Sequence, residues 1–360
     1  MNYDNIITTT AQRVAPFVVD AVHGSSVLVG RGLANPKKWT MGQYETNPIQ
    51  VSESSTGGFF SGMGTFDTSD VNTDVNLRWL SKGYYHNITL SIPDISLNAT
   101  EAGIISLVKR KMDIARNATI SNIGTALYGV GAGDQFEGLD LQTDAGTYSS
   151  SYGTLSRTTY GSYINGQVTA ASAGVISFSV LGAQVDLCSA ASSTNESTNL
   201  ILTTKTVWSL IEQIVEAKNR GNYSTKSSNG GWMVVSPYTS TSEMISRDQL
   251  PVGQVGFDSY YFRGIPVVKD DKCPSGRVYT LNERYMKFVS LPLVDMKDIS
   301  MAQEVTRGVY DEQPKATAFQ LTDQRMPVNS LGKVQQIVAY GNFVNMNPKR
   351  SGVLTGVTTV

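Results

Sequence analysis

The most regular pattern of apolar and polar positions in this chain lies between Asn98 and Leu127. Its apolar residues recur at spacings of three and four, which is the period of a helix with one apolar face. Asn98 can cap the start of the helix together with Glu101, and a run of glycines from Gly129 ends it. The pattern predicts one helix about 45 Å long, at about 1.5 Å per residue. Its apolar positions are Ile104, Val108, Met112, Ala115, Ile120, Ile123 and Leu127.

A second pattern covers residues 41–96, where strand-like apolar runs replace the helical period. A polar cluster separates the runs, which predicts a long two-armed β-hairpin with a polar tip. An isolated two-stranded ribbon is only marginally stable in water. A ribbon with so many aromatic residues therefore needs another protein surface to pack against, which indicates an obligate partner. The runs contain Phe59, Phe60, Phe66, Leu77, Trp79, Tyr84, Tyr85, Ile88, Leu90 and Ile92, and the cluster is Asp67, Ser69, Asp70, Asn72 and Asp74.

The rest of the chain alternates shorter helices and strands. Residues 1–40 contain one short apolar helical face around Phe17 and Val18, which suits either a frayed terminus or an arm that wraps a neighbouring subunit. Helices are predicted within 170–191 and over 205–218, with a short buried strand at 199–203 between them. Further strands are predicted at 277–281, 287–291, 333–340 and 342–345. The run from Tyr260 to Val268 predicts a tight hairpin that turns at Arg263 and Gly264.

The composition indicates a polar but weakly charged surface, which is common where much of a surface meets other protein. Charged residues make up 16% of the 360 residues, and the formal net charge is −1. The chain therefore has no net positive charge that would attract nucleic acid. The two cysteines, Cys188 and Cys273, form no motif and suit a reducing cytoplasm or a pair of buried thiols, with a disulfide also open. We expect no secretory signal and no transmembrane helix.

Candidate chemistry is sparse. The two histidines, His23 and His86, share no ligand spacing with the cysteines or with a carboxylate pair. The glycines from Gly129 to Gly133 follow a predicted helix, whereas a dinucleotide fingerprint follows a strand and opens a helix. Neither a phosphate-binding loop motif nor a nucleophile elbow is present. We therefore predict no catalytic residue, no cofactor and no metal site, so that the protein is not an enzyme.

Two further sets of residues are candidates for specific roles. Gly264 and Gly276 each fall in a predicted tight turn between strands, where a positive φ favours glycine. Lys109, Lys111 and Arg116, together with Arg110, place positive charge on the long helix. These cations either form a solvated face or contact phosphate groups, with only a modest, salt-dependent affinity.

One long segment resembles a known family. Residues 253–288, GQVGFDSYYFRGIPVVKDDKCPSGRVYTLNERYMKF, resemble the GF-x-x-x-x-F-x-G-x-P-V-x-x-D-x-x-x-P-x-G-x-x-Y-x-L-N signature of tailed-phage major capsid proteins. Five other segments are similar to that family in the same order, so the resemblance runs from about residue 40 to the end. They are GGFFSGMGTFDTS, FEGLDLQTD, GTLSRTTY, NLILTTKTVWSLIE and NPKRSGVLTGV.

The resemblance implies an α+β chain with the Hong Kong 97-like capsid fold. We expect an N-terminal arm at 1–40, an extended β-hairpin loop at 41–96 and a peripheral domain with the long spine helix at 97–145. A mixed α/β axial domain then covers 146–318, and return strands to the peripheral domain cover 319–360. The alternation of a long hairpin, a long helix and mixed α/β segments, which the residues indicate independently, agrees with this order.

The function that the resemblance implies is structural. The chain is expected to self-assemble into pentamers and hexamers of an icosahedral virion capsid around double-stranded phage DNA. Its other expected partners are portal and scaffolding or decoration proteins, it is made in the host bacterial cytoplasm, and it meets no membrane. An encapsulin-like compartment that encloses cargo enzymes is the alternative. A third hypothesis, a hydrolase with a β-rich carbohydrate domain, predicts a carboxylate pair in an aromatic cleft, and no such pair stands out in the sequence.

Two site predictions follow from combining the resemblance with the patterns. The ribbon of residues 41–96 is expected to lie across the adjacent subunit through its aromatic residues Phe59, Phe60, Trp79, Tyr84 and Tyr85. Lys109, Lys111 and Arg116 are expected to face the interior of the shell and to contact DNA phosphates without sequence specificity.

Overall fold

A computed structural model of the chain describes residues 26–34, 36–39, 42–53, 56–64, 69, 71–97, 101–190, 196–219, 259–291, 318–322, 325–326 and 331–360. Side chains are described for these residues except 97, 101–106, 215–219 and 259. The predicted apolar face around Phe17 and the predicted cap Asn98 lie outside the described residues.

The described helices and strands follow one another as mixed elements. The helices are α1 (Val27–Ala34), α2 (Ile92–Leu97), α3 (Glu101–Tyr128), α4 (Leu139–Gln142), α5 (Arg157–Ile164), α6 (Phe178–Cys188) and α7 (Lys205–Asn219). The strands are β1 (Lys37–Lys38), β2 (Tyr44–Gln50), β3 (Asp74–Leu80), β4 (Lys82–Ser91), β5 (Ser151–Tyr152), β6 (Leu155–Ser156), β7 (Gln167–Ala170), β8 (Leu200–Thr203), β9 (Ser259–Phe262), β10 (Ile265–Lys269), β11 (Val278–Leu281), β12 (Met286–Ser290), β13 (Gln320–Leu321), β14 (Gly332–Asn345) and β15 (Gly352–Thr355). Two short 3₁₀ turns occupy Ser172–Gly174 and Pro348–Arg350.

The spine helix α3 forms where its apolar period predicts it. It has 28 residues and ends at Tyr128, one residue after the predicted end. Beyond it, Gly131 takes a φ of 71°, a left-handed conformation that lets the chain turn away from the helix. Val108 and Met112 face the main core, where they pack with Ile88 and Leu90 of β4. The helix therefore covers one face of a sheet.

That sheet has five strands, in the order β1–β12–β14–β13, with β4 paired to β14. The antiparallel register of β4 and β14 runs from Ser91 opposite Gly332 to Lys82 opposite Gly341. Beyond Gly341, β14 pairs with β12 as far as Asn345 opposite Met286. The two strands predicted at 333–340 and 342–345 are thus one continuous strand of 14 residues. This strand joins the part of the sheet under α3 to the part near α1.

Helix α1 belongs to the core of the protein rather than to an extended arm. Val27, Leu28, Val29 and Leu33 are buried in the same cluster as α3 and the five-stranded sheet. Asp270 holds the start of this helix, because its Oδ2 accepts hydrogen bonds from Ser26 Oγ at 2.7 Å and from Leu28 N at 3.2 Å. The predicted arm of 1–40 therefore contains, from residue 26 onwards, a helix that packs into the body.

A second sheet of six strands, in the order β7–β15–β11–β8–β10–β9, has its own cluster of buried apolar residues and also contributes residues such as Leu202 and Tyr279 to the main core. Helices α6 and α7 pack on it through residues such as Leu181 and Val207. The strand β8 between these helices is fully buried, as its run of apolar residues predicts. The predicted helix within 170–191 begins only at Phe178, where Ser177 accepts a capping hydrogen bond from Val180 N at 3.2 Å.

Candidate subunit interface

The predicted ribbon is present but shorter than predicted. Strands β2 and β3 pair alone as an antiparallel two-stranded sheet, from Tyr44 opposite Leu80 to Gln50 opposite Asp74. Strand β4, which was expected to continue the second arm, pairs with β14 instead. Because side chains alternate between the two faces of a strand, one face of the ribbon carries Trp79 and the opposite face is mostly exposed.

The end of the ribbon that joins the body, residues 44–47 of β2 and 77–80 of β3, packs against its own subunit, and we call it the ribbon root. Trp79 is 1% exposed and meets Tyr152 edge-on, with ring centroids 6.0 Å apart. Leu77 is also fully buried in this cluster, and Arg78 N donates a hydrogen bond to Gly153 O at 2.9 Å. The expectation that Trp79 contributes to a contact with another subunit is therefore corrected: Trp79 anchors the ribbon to the body of its own chain.

An ion pair also ties the ribbon to the five-stranded sheet. Glu45 on β2 is buried, and its Oε1 accepts a hydrogen bond from Lys37 Nζ on β1 at 2.7 Å. A buried carboxylate is costly unless it is paired, so this contact fixes where β2 leaves the body. The ribbon is thus held on both strands at its root.

The two tyrosines of β4 lie on opposite faces of the sheet. Tyr84 is partly buried against the main core, and its hydroxyl accepts a hydrogen bond from Asn122 Nδ2 of α3 at 3.2 Å. Tyr85 points the other way and is 66% exposed. Of these two residues, Tyr85 is the one whose ring is available to another subunit. Tyr84 instead holds α3 against the sheet.

The apolar residues at the far end of the ribbon are exposed. Phe59 and Phe60 lie in residues 56–64, which form no strand, and they are 111% and 65% exposed. Met63 in the same segment is 106% exposed and was not among the predicted interface residues. Its place among the glycines of GGFFSGMG was the signal that could have identified it. We call residues 56–64 the ribbon tip.

The three predicted DNA-facing cations do not lie on one side of α3. Lys109 and Lys111 are two residues apart, so they point about 200° away from each other around the helix. Lys109 and Arg116 are within about 20° of each other, and Arg116 Nη1 lies 3.8 Å from Asp113 Oδ1. Lys109 is exposed, whereas Lys111 and Arg116 are half-buried. A single surface therefore combines Lys109 with Arg116, and Lys111 faces the other flank.

The two predicted turn glycines have positive φ. Gly264 has a φ of 80° and follows Arg263 with a φ of 51°, so both central residues of the β9–β10 turn are left-handed. Gly276 has a φ of 69°, and a Cβ there would lie 3.0 Å from Val357 O. Gly264 has open space around it, so only its backbone conformation restricts substitution.

We expect Gly264→Val to lower the free energy of unfolding by about 1–3 kcal/mol, because a β-branched residue is strained at positive φ. Gly276→Val should cost more, because the strain adds to a close contact with a carbonyl oxygen. Gly264→Asn is the matched control, since asparagine tolerates this conformation. Urea unfolding of the purified variants measures both effects, and a Gly264→Val variant as stable as the parent would refute the hairpin assignment.

The described residues hold little that suggests chemistry. They contain no group of three or more His, Cys, Asp or Glu side chains that could hold a metal ion. Cys188 and Cys273 are buried as free thiols, and burial raises the pKa of each thiol, that of Cys188 to about 11. Across the ranges given above, no helix is long and apolar enough to cross a membrane. The absence of enzymatic activity and of a cofactor stays a prediction.

Comparison with known proteins identifies the fold. No protein-family model and no curated protein matches the chain. The capsid asymmetric unit of Cyanophage A-1(L) is 13% identical, with 93% of each chain covered and a TM-score of 0.63. The capsid of Myoviridae Phage XM1 is 11% identical, with 92% of each chain covered and a TM-score of 0.51. The capsid of a native GTA particle is 10% identical, with 90% of this chain and 89% of that chain covered and a TM-score of 0.51.

These similarities show that the chain has the fold of phage capsid proteins. The predicted α+β, Hong Kong 97-like fold class is thereby confirmed. At such low identities the similarity concerns the fold, and function has to be argued from the surfaces of this chain.

Proposed function

We propose that this protein is the major capsid protein of a tailed phage and that it self-assembles into the pentamers and hexamers of an icosahedral shell around double-stranded DNA. One observation carries the proposal: a ribbon anchored at its root by its own subunit presents three exposed apolar side chains at its far end. The capsid fold and the family resemblance of residues 253–288 support the same function.

The exposure of the ribbon tip supports a contact with a second copy of the chain. Phe59 and Met63 are fully exposed in the described part of their own subunit, and Phe60 is 65% exposed. Burying one such side chain contributes roughly 1.5–3 kcal/mol, so leaving three of them in water forfeits a substantial free energy. Each subunit would both give a ribbon and receive one, in a head-to-tail contact that closes into rings.

Negative-stain microscopy of the expressed protein tests the proposal. We expect closed shells built from rings of five and six subunits, and a sample that stays monomeric at high concentration would contradict it. An encapsulin-like compartment has the same shell geometry but different contents. Nucleic acid inside particles from infected cells supports the phage capsid, whereas a co-purifying cargo enzyme supports the compartment.

We infer that the remaining partners follow from this role. A closed DNA-filled shell needs a portal for DNA entry, and scaffolding or decoration proteins are further candidates. Synthesis in the host bacterial cytoplasm and a final location in the virion belong to the same proposal. A structural role without catalysis is supported by the capsid neighbours, and it predicts that purified shells need no metal for integrity.

The cations of α3 are proposed to contact packaged DNA through its phosphates. Replacing Lys109, Lys111 and Arg116 with glutamine should leave empty shells intact and should weaken the salt-dependent retention of DNA. Because Lys111 lies on the other flank of the helix, its single variant should have the smaller effect. The control is Lys287→Gln, which removes an exposed cation from β12 instead of α3. A structure of the shell in which Lys109 and Arg116 point outward would contradict the proposal.

A further inference from the structure

One buried carboxyl group, near the root of the ribbon, lacks a full set of partners. Glu137 lies in the loop between α3 and α4, and its Oε2 atom is buried with no hydrogen-bond partner among the described residues. Buried polar atoms are normally paired, so an unpaired carboxyl oxygen requires an explanation. The backbone of Glu137 is firmly held, because Glu137 N donates to Asn342 Oδ1 at 3.0 Å and Glu137 O accepts from Gln142 Nε2 at 3.2 Å.

The same loop is attached to the point where the ribbon leaves the body. Asn342 Nδ2 donates a hydrogen bond to Leu80 O, the last residue of β3, at 3.0 Å. Lys82, two residues further on, donates from Nζ to Gly131 O at 3.1 Å. Asn342 thus connects the backbone of Glu137 to Leu80, and Lys82 connects the start of β4 to the same loop.

The charged and titratable groups around the Glu137 carboxyl come from three elements. They are Lys82 on β4, Arg157 on α5 and Tyr152 on β5, and the Asn342 side chain on β14 is also adjacent. Tyr152 is the residue that meets Trp79 of the ribbon edge-on. Its hydroxyl also donates to Asn345 O at 2.9 Å. Lys82 follows the ribbon directly and Tyr152 contacts it, so two of these three groups link the carboxyl to the ribbon root.

We propose that Glu137 is a proton-operated joint: when its carboxyl is neutral the ribbon root is held closed, and when it ionises the root loosens. A neutral carboxyl tolerates the buried, half-partnered site, whereas a carboxylate there must be desolvated without full compensation. Water that enters as the root opens relieves this cost, and its entry weakens the attachment of residues 80–82 to the loop.

The direction of the pH dependence follows from the environment. Burial raises the pKa of Glu137 from 4.5 to about 7, although Lys82, Asn342 and Arg157 act in the opposite direction. The pKa of Glu137 is higher in the closed state than in an open, solvated state, so the protonated carboxyl favours the closed root. This contribution is fully present below about pH 4.5. That contribution is lost as the pH rises towards 7 and is absent above it. The joint is therefore tight in acid and loose at neutral to alkaline pH.

The joint is a property of one subunit, and its consequence for shells rests on the proposed function. A ribbon with a looser root can change its angle to the body, which a subunit requires if it is to fit rings of five and of six. Hydrogen exchange at the ribbon root reports on the joint within each subunit, so its outcome does not depend on whether the chain forms shells.

Hydrogen exchange of the amides of residues 78–83, corrected for intrinsic rates, tests the joint in the full chain between pH 5 and pH 8. We expect exchange in the parent to accelerate on the order of tenfold or more over this range. Opening releases one proton while only the open state is ionised, which changes the opening equilibrium by up to about tenfold per pH unit. Glu137→Gln should abolish this pH dependence. Glu53→Gln, which removes an exposed carboxyl from the same ribbon, should leave it unchanged.

A second variant separates a titrating group from a merely structural one. Lys82→Met removes an ammonium that lowers the pKa of Glu137, so the midpoint of the acceleration should move to higher pH. A structural loss alone would speed exchange at every pH without moving the midpoint. Either a Glu137→Gln variant with the pH dependence of the parent, or a parent without any such dependence, would overturn the proposal.

Discussion

Replacing Arg157 with methionine should lower the free energy of unfolding by about 3–5 kcal/mol, which is the usual cost of removing one partner from a buried ion pair. Arg157 is 4% exposed. Its Nη1 donates to Asp144 O at 2.6 Å and to Ile164 O at 3.1 Å, and its Nη2 donates to Leu141 O at 2.7 Å. Methionine fills a similar volume but leaves three carbonyl oxygens without this donor. It also removes the positive charge whose Nε lies 3.9 Å from Asp144 Oδ2.

The loss should extend beyond the immediate contacts of Arg157. Its guanidinium lies over the ring of Tyr152, 5.4 Å from the centroid. Asp144 in turn accepts from the backbone N–H groups of Thr147, Tyr148 and Ser149. The side chain therefore joins the loop after α4 to the hairpin that holds the ribbon root.

Equilibrium urea unfolding, followed by tryptophan fluorescence, measures the change. Arg157→Lys is the matched control, because it keeps the charge but loses the planar fork that reaches several carbonyl groups at once. We expect Arg157→Lys to lose less stability than Arg157→Met. An Arg157→Met variant within about 1 kcal/mol of the parent would show that the network contributes little, as for an exposed ion pair.

Elements with a strong local period were predictable from the sequence. The spine helix, the helix at 205–218 and the hairpin at Arg263 and Gly264 formed where their patterns placed them. In each case the information lies within about 5–30 adjacent residues, as an apolar period or as a turn that needs positive φ. The same locality explains why boundaries shifted by only a few residues in α3 and α7.

Features that depend on distant partners were not predictable in the same way. Trp79 and Tyr85 look alike as aromatic residues in strand-like runs, yet Trp79 is buried by Tyr152 and Tyr85 is exposed. Glu137 and Arg157 carried no motif, because the groups that define their roles are supplied by other segments. A period-2 pattern shows which residues share a face but does not show what covers that face.

The extent of the ribbon was also not predictable from its local pattern, because β4 pairs with the distant strand β14. Replacing residues 57–84 with a short turn would remove the buried Leu77 and Trp79 and the start of β4 together with the ribbon tip. Such a deletion tests folding as much as assembly. Substitutions confined to the ribbon tip separate the two, because residues 56–64 belong to no strand and the large side chains there are exposed.

Changing Phe59, Phe60 and Met63 together to serine should abolish shell formation while leaving the subunit folded. Each side chain contributes roughly 1.5–3 kcal/mol when it is buried, so the triple variant removes about 4 kcal/mol or more from every contact. Part of that gain is offset in the parent by the cost of ordering the ribbon. Even so, a loss of about 4 kcal/mol weakens one contact on the order of a thousandfold, and a shell repeats the contact at every subunit.

Sedimentation velocity measures assembly and circular dichroism measures folding in the same samples. The matched control is Ile114→Ser, which removes an exposed apolar side chain from the spine helix and should still form shells. Normal shells from the triple variant would refute the role of the ribbon tip. An unfolded triple variant would show instead that the tip packs on its own subunit. Folded monomers from the triple variant, beside shells from the control, would place the assembly energy at the tip, because the buried root is intact in both.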